Sequence, residues 1–339
     1  MNLSTLGKLL AFASSIAPSL GSPPPLPLRV LHAFPSGVWL ENLHIRSNGD
    51  ILVTSLVPNA SLYLISNPTS AQPEVSLVHT FDQVGGLLGI TETAPDIFVT
   101  FGGDFLNYGT GVNGSFSTFE LDLRQSSAPV VRLITAIPEA SFLNGVENVP
   151  NDPATILIAD STLGLIWRLN TVTGKYEIGF QVPEMAVVPG AAFPLGVNGL
   201  HIHNGHLYFS NSFAATIYKL KIDDDGYPSH GATVEVVAKV DAPFVDDLTT
   251  GPLNKNTVWA TSNIGDTLLA VKNGSSGVVD GSPEQLTLAG ATSSAFGKTC
   301  TDSHILYVTT TGGLGDPING TLFEGGQIVA IDTRHFSFR

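Results

Sequence analysis

The sequence contains little cysteine, little methionine and few charged residues. Among 339 residues there are one cysteine, two methionines and only 13% charged side chains, against about 25% charged residues in an ordinary soluble domain. The single cysteine, Cys300, excludes an internal disulfide, and its apolar surroundings predict a buried, unreactive thiol. No group of cysteine and histidine residues has the spacing of a zinc site.

Positive charge is also scarce. The chain has 15 lysines and arginines against 29 aspartates and glutamates, a formal net charge of −14. Such a surface repels nucleic-acid phosphates and anionic lipids, so we expect neither nucleic acid nor a membrane as a partner. The sequence has no phosphate-binding loop, no dinucleotide fingerprint and no G-x-S-x-G motif. It leaves the oligomeric state open.

The first residues have the layout of a secretory signal. A lysine at position 8 precedes a short apolar stretch and then small residues, which predicts a signal peptide over residues 1–21 and a Pro-rich linker over residues 22–27. We therefore expect a protein that is secreted or enters the lumen of the secretory pathway. Four Asn-x-Ser/Thr sequons permit glycosylation there, at Asn59, Asn113, Asn273 and Asn319.

The remaining chain is organised by a repeat. An apolar strand, a turn and an alternating strand ending in Thr, Ser or Asn recur about every 50 residues, the length of a four-stranded propeller blade. The six copies begin at Trp39, Gly85, Phe142, Leu195, Phe244 and Ala295. Asn-Gly and Asp-Gly pairs occur where hairpins need them, and helical periodicity is nearly absent.

These repeats predict an all-β protein, a single six-bladed β-propeller over residues 28–339. The last repeat lacks an outer strand, and the segment Leu28–Phe34 precedes the first repeat. We expect that N-terminal segment to complete the last blade and close the ring. The Gly-rich segment Gly312–Gly326 is expected to be a surface loop over one face.

Polar residues recur at the start of the inner strands, which line the central channel. Alignment of the repeats gives one register, occupied by Glu41, Gly86, Asn144, Asn198, Asp246 and Gly297. Four of these residues carry oxygen donors suited to a hard divalent cation such as Ca²⁺. Alternatively, these Asn-Gly and Asp-Asp pairs only turn the chain into each strand.

The repeat and the quartet Glu41, Asn144, Asn198 and Asp246 resemble the regucalcin/gluconolactonase family, with paraoxonase and strictosidine synthase more distant. The motifs NGV (144–146) and NGL (198–200) carry the likeness. The resemblance implies that the quartet holds a divalent cation and that Asp246 acts as base or nucleophile on a lactone. The chain departs from the family at Asp247, where a glycine is usual, and at Phe142 and Leu143, where an arginine that holds a sugar lactone is usual.

Aromatic residues cluster near the same register, which predicts a mouth that binds apolar ligands by area burial. The expected substrate-binding residues are Trp39, Phe105, Phe142, Phe213, Phe244 and Phe296; Tyr108 and Phe193 lie in loops expected at the same face. Any one of these rings can instead pack between blades as core.

With this apolar mouth, the chain is similar to a fungal branch of six-bladed propellers of secondary metabolism. The stretch FPSGVWLENLHIRSNGDILVTSL carries the likeness. Some members are hetero-Diels–Alderases, which join a tropolone o-quinone methide to a humulene-type olefin. The resemblance implies small apolar polyketide or terpenoid substrates, and the cyclase reaction needs no cofactor.

The expected catalytic residues are Asp246, Asn198 and His201. His201 and His203 alternate on the fourth inner strand, so both are candidates to face the channel. The leading hypothesis is a hetero-Diels–Alderase-like cyclase. The alternatives are a metal-dependent lactonase or esterase with Ca²⁺ at the channel mouth, and a ligand-binding propeller without catalysis.

Overall fold

A computed structural model describes residues 26–125, 129–251 and 256–338. The predicted signal peptide and residues 22–25 of the predicted linker lie outside the described residues. The described chain forms six four-stranded antiparallel sheets, and the inner strands contact one another in a closed ring. The prediction of an all-β, six-bladed propeller is confirmed.

The ring is closed by the N-terminal strand, as predicted. Strand β1 (Leu28–Ala33) pairs antiparallel with the last strand of the chain, with Val30 opposite Val329. Leu31 is buried in the core between the last and first blades. The two ends of the described chain are therefore joined in one sheet, which leaves no blade incomplete.

Blades I to III follow in chain order, each from the channel outward. Blade I consists of β2 (Trp39–Ile45), β3 (Ile51–Val57), β4 (Ser61–Ser66) and β5 (Glu74–Thr80). Blade II consists of β6 (Gly86–Ala94), β7 (Ile97–Gly103), β10 (Ser117–Asp122) and β11 (Val130–Ala136), with a hairpin of β8 (Phe105–Asn107) and β9 (Thr110–Gly111) inserted after β7. Blade III consists of β12 (Leu143–Val149), β13 (Asp152–Asp160), β14 (Leu165–Asn170) and β15 (Tyr176–Phe180).

A single 3-10 turn (Pro183–Met185) leads to the second half of the ring. Blade IV consists of β16 (Val197–His203), β17 (His206–Asn211), β18 (Thr216–Lys221) and β19 (Glu235–Lys239). Blade V consists of β20 (Leu248–Thr250), β21 (Val258–Ser262), β22 (Thr267–Lys272) and β23 (Ser275–Gly281). Blade VI consists of β24 (Ala291–Phe296), β25 (Ile305–Thr310), β26 (Gln327–Asp332) and β1. In the described ranges, no helix is long and apolar enough to cross a membrane.

Apolar side chains between neighbouring blades form the core. Leu52 and Leu62 of blade I, for example, pack with Leu87 and Phe98 of blade II. The middle strands are buried on both faces, and the outermost strands are largely exposed. Burial on both faces requires continuous apolar runs, which is why ILVTSLV in β3 does not alternate strictly.

Predicted hairpin turns occur at the expected residues. Asn204 and Gly205 both have positive φ, +49° and +70°, and so do Asn273 and Gly274, at +52° and +80°. Two consecutive left-handed residues are the requirement of a type I′ turn, which Asn-Gly satisfies at little cost. The Asn-Gly pairs therefore predicted the positions of these two hairpin turns correctly.

The inner strands share a bulge that sets the geometry of the channel. In β2 the pairing with β3 is interrupted between Leu40 and Leu43, and the same interruption recurs in β6, β12, β16 and β24. Two residues on each of these five inner strands are thus left out of the ladder. In blade V the corresponding residues Asp246 and Asp247 precede β20, and the backbone of both bonds to Thr261. Because a bulge redirects side chains, the first of the two faces one end of the channel and the second faces the other end.

Hydrogen bonds between blades fix this layer. The Thr54 hydroxyl of blade I donates to the Leu88 carbonyl of blade II at 2.7 Å, and the Thr292 hydroxyl of blade VI donates to the Leu40 carbonyl of blade I at 2.9 Å. Ser210 makes the equivalent bond from blade IV to the Asp246 carbonyl at 2.6 Å. Buried hydroxyls therefore tie neighbouring inner strands together close to the bulge.

Three sequence predictions are corrected by the structure. At the bulge register of Glu41, blade II carries Leu88 and not Gly86, and blade VI carries Thr292 and not Gly297. Gly297 follows the other end of β24, because that strand begins at Ala291. Cys300 is exposed, because it lies in the turn after β24 rather than in a strand.

Candidate functional site

A cavity of about 390 Å³ opens at one end of the channel. We call it the mouth cavity. The first bulge residues form its floor, aromatic and aliphatic side chains form its wall, and two loops form its roof. Among the described residues that line it there is no lysine, arginine or histidine. The volume is in the range typical of sites for small organic ligands.

All four predicted rim residues reach the floor. Glu41, Asn144, Asn198 and Asp246 line the mouth cavity and are each at most 8% exposed. They stand at the same bulge register on four different blades, so the predicted convergence is confirmed. Leu88 and Thr292 occupy the register on the other two blades but do not line the cavity, so the floor consists of two carboxyls and two amides.

Hydrogen bonds position both carboxyls. The indole N–H of Trp39 donates to Glu41 Oε2 at 2.5 Å. Asn198 Nδ2 donates to Asp246 Oδ1 at 2.9 Å, and Asn263 Nδ2 donates to Asp246 Oδ2 at 3.2 Å. Asn198 Nδ2 also donates to the Ser212 hydroxyl, whereas its carbonyl oxygen Oδ1 is buried without a hydrogen-bond partner in the described structure.

Burial gives both carboxyls a strong tendency to bind a proton. Burial and, to a lesser extent, the nearby charge of Asp247 raise the pKa of Glu41 to about 7. The hydrogen bond from Trp39 opposes this shift. Burial also raises the pKa of Asp246 well above its usual value, and the charge of Glu41 adds to this effect. Two carboxyls that share a desolvated floor titrate as a pair, which favours a neutral acid on at least one of them.

The wall of the cavity is aromatic. Trp39, Phe142 and Phe244 line it, two residues before the floor register as expected. The turn that presents Phe142 is fixed by Asp160, whose carboxylate accepts hydrogen bonds from the Ser141 and Phe142 backbone N–H groups at 2.9 and 3.1 Å. Each of these three aromatic residues therefore comes from a position defined by the repeat.

Two of the predicted substrate-binding rings lie behind this wall. Phe105 packs edge-on against Phe142, with ring centroids 5.5 Å apart, and Phe213 packs edge-on against Phe244 at 5.2 Å. Neither ring lines the mouth cavity. They support the wall, because the loops that carry them turn their rings into the core.

A roof over the cavity comes from two insertions. The β8–β9 hairpin supplies Asn107, Tyr108 and Gly109, and the loop after β25 supplies Gly315 and Asp316. The β8–β9 hairpin contacts the wall, because the Tyr108 and Trp39 rings lie 5.0 Å apart. The predicted position of the Gly-rich loop over the mouth is confirmed.

A second cavity of about 230 Å³ lies at the other end of the channel, and we call it the axial cavity. The second bulge residues Asn42, Asp247 and Ser293 face it. Asp247 Oδ2 accepts hydrogen bonds from Asn42 Nδ2 at 3.1 Å and from Ser293 Oγ at 2.6 Å. Burial raises the pKa of Asp247 to about 6, against these hydrogen bonds. A methyl group on Gly199 would lie 2.3 Å from Asp247 Oδ1. An aspartate at position 247, where the regucalcin/gluconolactonase family usually has a glycine, therefore depends on the glycine at position 199.

The structure places His201 in the axial cavity, away from Asp246 and Asn198. Its Nδ1 lies 2.9 Å from Glu147 Oε1 and its Nε2 lies 2.9 Å from Thr250 Oγ1. Burial would lower the pKa of His201, but the hydrogen bond and charge of Glu147 outweigh it and raise the pKa. His201 therefore does not join Asp246 and Asn198 at the mouth as predicted, because it lies three residues past the floor register.

Phe296 is also far from the mouth. It lies at the last position of β24, lines the axial cavity and packs edge-on against the buried Trp259 at 5.8 Å. The prediction that it binds substrate at the mouth followed from the incorrect register of blade VI. With Ala291 as the first residue of β24, Phe296 belongs to the opposite end of the strand.

The quartet on the floor contains the oxygen donors that Ca²⁺ prefers. However, Glu41 and Asp246 already accept hydrogen bonds from Trp39, Asn198 and Asn263. No group of three or more His, Cys, Asp or Glu residues in the described ranges has the arrangement of a metal site. A cation held by Glu41, Asn144, Asn198 and Asp246 therefore stays a prediction, and no step of the mechanism below depends on it.

The four predicted glycosylation sites are exposed in turns or bends: Asn59, Asn113, Asn273 and Asn319. This position is compatible with modification, which stays a prediction.

The sequence did not identify several residues of the site. Asn263 holds Asp246 from the turn after β21, and Leu195, Ile264 and Asp316 line the cavity. They precede or follow strands without a repeated motif. Among these residues only Asn263 occupies a position that the repeat marks, because it lies at the end of the alternating strand, where Thr, Ser or Asn recurs.

Comparisons with known proteins agree with this geometry. The chain is 33% identical over 347 residues to a protein of Sarocladium schorii assigned to the hetero-Diels–Alderases, a match that covers 94% of this chain and 86% of that protein. It is 36% identical over 309 residues to a protein of Phoma sp assigned to the same class, with 84% and 87% coverage. No protein-family model matches the chain.

Solved structures share the fold at low sequence identity. A luciferin-regenerating enzyme superposes with a TM-score of 0.64 at 14% identity, over 91% of this chain and 96% of that one. Regucalcin from Agrobacterium tumefaciens, a calcium-binding protein, superposes with a TM-score of 0.58 at 14% identity, over 91% and 94%. These similarities support the propeller architecture and the resemblance to regucalcin at the level of the fold.

Proposed function

The chain belongs to the hetero-Diels–Alderase family, and from that membership we propose that it catalyses a hetero-Diels–Alder cyclisation of apolar polyketide or terpenoid partners in the mouth cavity. The protein is an enzyme of the cyclase class. The observation that carries the proposal is the combination of an aromatic wall with a floor of two buried carboxyls at high pKa.

The wall provides binding and alignment. Burial of apolar ligand surface contributes about 25 cal/mol per Å², and Trp39, Phe142 and Phe244 offer rigid surfaces for it. A cycloaddition gains most of its rate from holding diene and olefin in a near-attack geometry. It needs no redox cofactor, since two bonds form within the pair of partners and no electron or proton leaves them.

The floor provides polarisation. In a hetero-Diels–Alder reaction of an unsaturated carbonyl compound, negative charge builds up on the carbonyl oxygen in the transition state. A neutral carboxyl of Glu41 or Asp246 donates a hydrogen bond to that oxygen and stabilises this charge. Desolvation strengthens the interaction and keeps the acid neutral, as in other sites where a buried carboxylic acid serves as a hydrogen-bond donor.

The same electrostatics weigh against the lactonase alternative. A hydrolase of that type uses Asp246 as a charged base or nucleophile, but burial and the charge of Glu41 raise its pKa well above its usual value. Without a cation, burial and the charge of Glu41 favour the protonated form of Asp246, which cannot act as a base. A divalent cation on the quartet would restore the charged form, so the metal requirement separates the two functions.

The test uses purified protein with an o-quinone methide generated in solution and a humulene-type olefin. We expect cycloadduct formation above the uncatalysed rate and a single enantiomer, because one cavity binds one arrangement of the partners. A racemic product at the uncatalysed rate would exclude the cyclase. Ligand binding without turnover would favour the non-catalytic propeller, and lactone hydrolysis that stops in EDTA would favour the lactonase.

A further inference from the structure

Trp39 contacts the floor of the mouth cavity and both parts of its roof. Its indole N–H donates to Glu41 Oε2 at 2.5 Å. Its ring lies 5.0 Å from the Tyr108 ring of the β8–β9 hairpin. The Gly315 backbone of the loop after β25 lies so close that an added methyl group would be 2.9 Å from Trp39 Cη2 and Cζ3.

We propose that Trp39 is a positioning residue that links closure of the roof to the orientation of the Glu41 carboxyl. The proposal rests on the function proposed above, since it assigns a use to Glu41 as a hydrogen-bond donor. In the closed roof, Tyr108 and Gly315 hold the indole ring from two sides, and the ring holds the acid. Through Trp39, the roof thus orients the acid that donates a hydrogen bond to the substrate.

The hydrogen bond selects the oxygen that carries the proton. When Glu41 is neutral, its carbonyl oxygen is a better acceptor than its hydroxyl oxygen, and the indole N–H occupies Oε2. This hydrogen bond therefore favours the acidic hydrogen on Oε1, where it is available to a ligand on the floor. Without the indole N–H, either oxygen carries the proton, and the carboxyl loses its fixed direction.

No positive charge competes with Trp39 for this acid. The charged groups facing Glu41 are Asp246 and Asp247 of blade V, and Asp316 lines the same cavity from the roof. All of them are carboxyls, and Tyr108 is the other titratable group of the roof. The described lining contains no lysine, arginine or histidine, so the indole N–H is the donor that distinguishes the two oxygens of Glu41.

Gly315 makes the link to the roof testable. Its φ is not in the left-handed region, so alanine is compatible with the backbone. The methyl group of Gly315→Ala requires a shift of the Trp39 ring or of the loop, while the indole N–H itself is retained. Gly277→Ala is the matched control, because an added methyl group at this position of β23 meets no atom within 4 Å.

The experiment is an NMR measurement, at one pH, of the Trp39 indole N–H resonance in the ligand-free protein; the resonance is assigned by its loss in Trp39→Phe. Because this N–H donates to Glu41 Oε2, Glu41→Leu should move the resonance upfield, toward that of an indole without a hydrogen-bond acceptor. Gly315→Ala should move it in the same direction by less, and Gly277→Ala should leave it in place. In the Glu41→Leu background Gly315→Ala should cause no comparable further shift, since both changes act through one hydrogen bond.

Kinetics give a second measure. Trp39→Phe should lower kcat for the cycloaddition about tenfold with a smaller change in KM, because orientation of a donor matters most in the transition state. An indole resonance that moves in Glu41→Leu but not in Gly315→Ala would overturn the link to the roof. The NMR measurement needs no substrate, so failure of the proposed reaction and failure of this inference are distinguishable.

Discussion

Asn198 donates a hydrogen bond to Asp246 across two blades, from Nδ2 to Oδ1 at 2.9 Å, although the residues are 48 positions apart in the sequence. The bond exists because both residues occupy the floor register of neighbouring blades. Asn198 is the first bulge residue of β16, and Asp246 holds the corresponding position just before β20. The ring thereby converts a repeat in the sequence into a polar cluster at one end of the channel. The following predictions test the consequences of that cluster for stability and function.

The first prediction concerns Glu41 and pH. Its folded-state pKa of about 7 lies above the unfolded value of 4.5, so the folded state binds the proton more tightly. The free energy of unfolding should therefore fall as pH rises from 4.5 through 7. At about 1.4 kcal/mol per pKa unit, this amounts to about 3 kcal/mol.

Denaturant unfolding at pH 5 and pH 8 measures the effect. Glu41→Gln should lose this part of the pH dependence and gain stability relative to the original protein at pH 8. Glu74→Gln, at an exposed position of the outer strand β5, is the control. Equal pH dependence in the original protein and Glu41→Gln would contradict the burial cost assigned to Glu41.

The second prediction separates wall residues from the rings at the other end of the channel. Phe244→Leu removes aromatic surface from the mouth cavity, whereas Phe296→Leu makes the same change in the axial cavity. We expect KM for the apolar partner to rise about tenfold in Phe244→Leu, from lost burial, and to stay unchanged in Phe296→Leu. Steady-state kinetics of both variants test this, and equal effects would argue against the mouth as the binding site.

The third prediction concerns metal. If the reaction is a cycloaddition polarised by a neutral acid, EDTA should leave its rate unchanged. Asp246→Asn should retain most of the rate, because shape and a hydrogen-bond donor remain, although one amide contact from Asn198 or Asn263 is lost. A lactonase would lose its activity under both treatments. Loss of cycloaddition in EDTA, restored by Ca²⁺, would show that the quartet acts as a cation site.

The fourth prediction concerns closure of the ring. Leu31 of β1 is 8% exposed and packs in the core, whereas its neighbour Val30 is 42% exposed. Leu31→Ala should lower the free energy of unfolding by about 3 kcal/mol, and Val30→Ala by less than about 1 kcal/mol. Urea unfolding of the two variants makes the comparison. Equal small effects would mean that β1 contributes little to the stability of the last blade.

The sequence predicted the architecture and the floor because both follow from a repeat. Glu41, Asn144, Asn198 and Asp246 could be placed together without coordinates, since equivalent strand positions meet at the axis. Blades II and VI were harder, because Leu88 and Thr292 lack the polar marker that identified the register elsewhere. The error at blade VI then moved Phe296 to the wrong end of the channel.

Residues outside the repeat could not be placed from the sequence. Phe105 and Phe213 lie in segments whose direction depends on tertiary packing, and their rings turn toward the core. The position of His201 depends on the bulge, which changes the direction of side chains along the strand. Asn263 contacts Asp246 of its own blade, and the repeat marks its position only by residue type. The role of Gly315 arises from its contact with Trp39 of another blade, which leaves no local pattern.

The most direct test of the account is the pH dependence of cycloaddition with a substrate pair that does not ionise. The account predicts that the catalysed rate falls as pH rises through about 7, as the acid of the Glu41 and Asp246 pair loses its proton. In Glu41→Gln the catalysed rate should be lower and should depend less on pH. A catalysed rate that is independent of pH in the original protein, or that increases with pH, would contradict a neutral carboxyl as the hydrogen-bond donor.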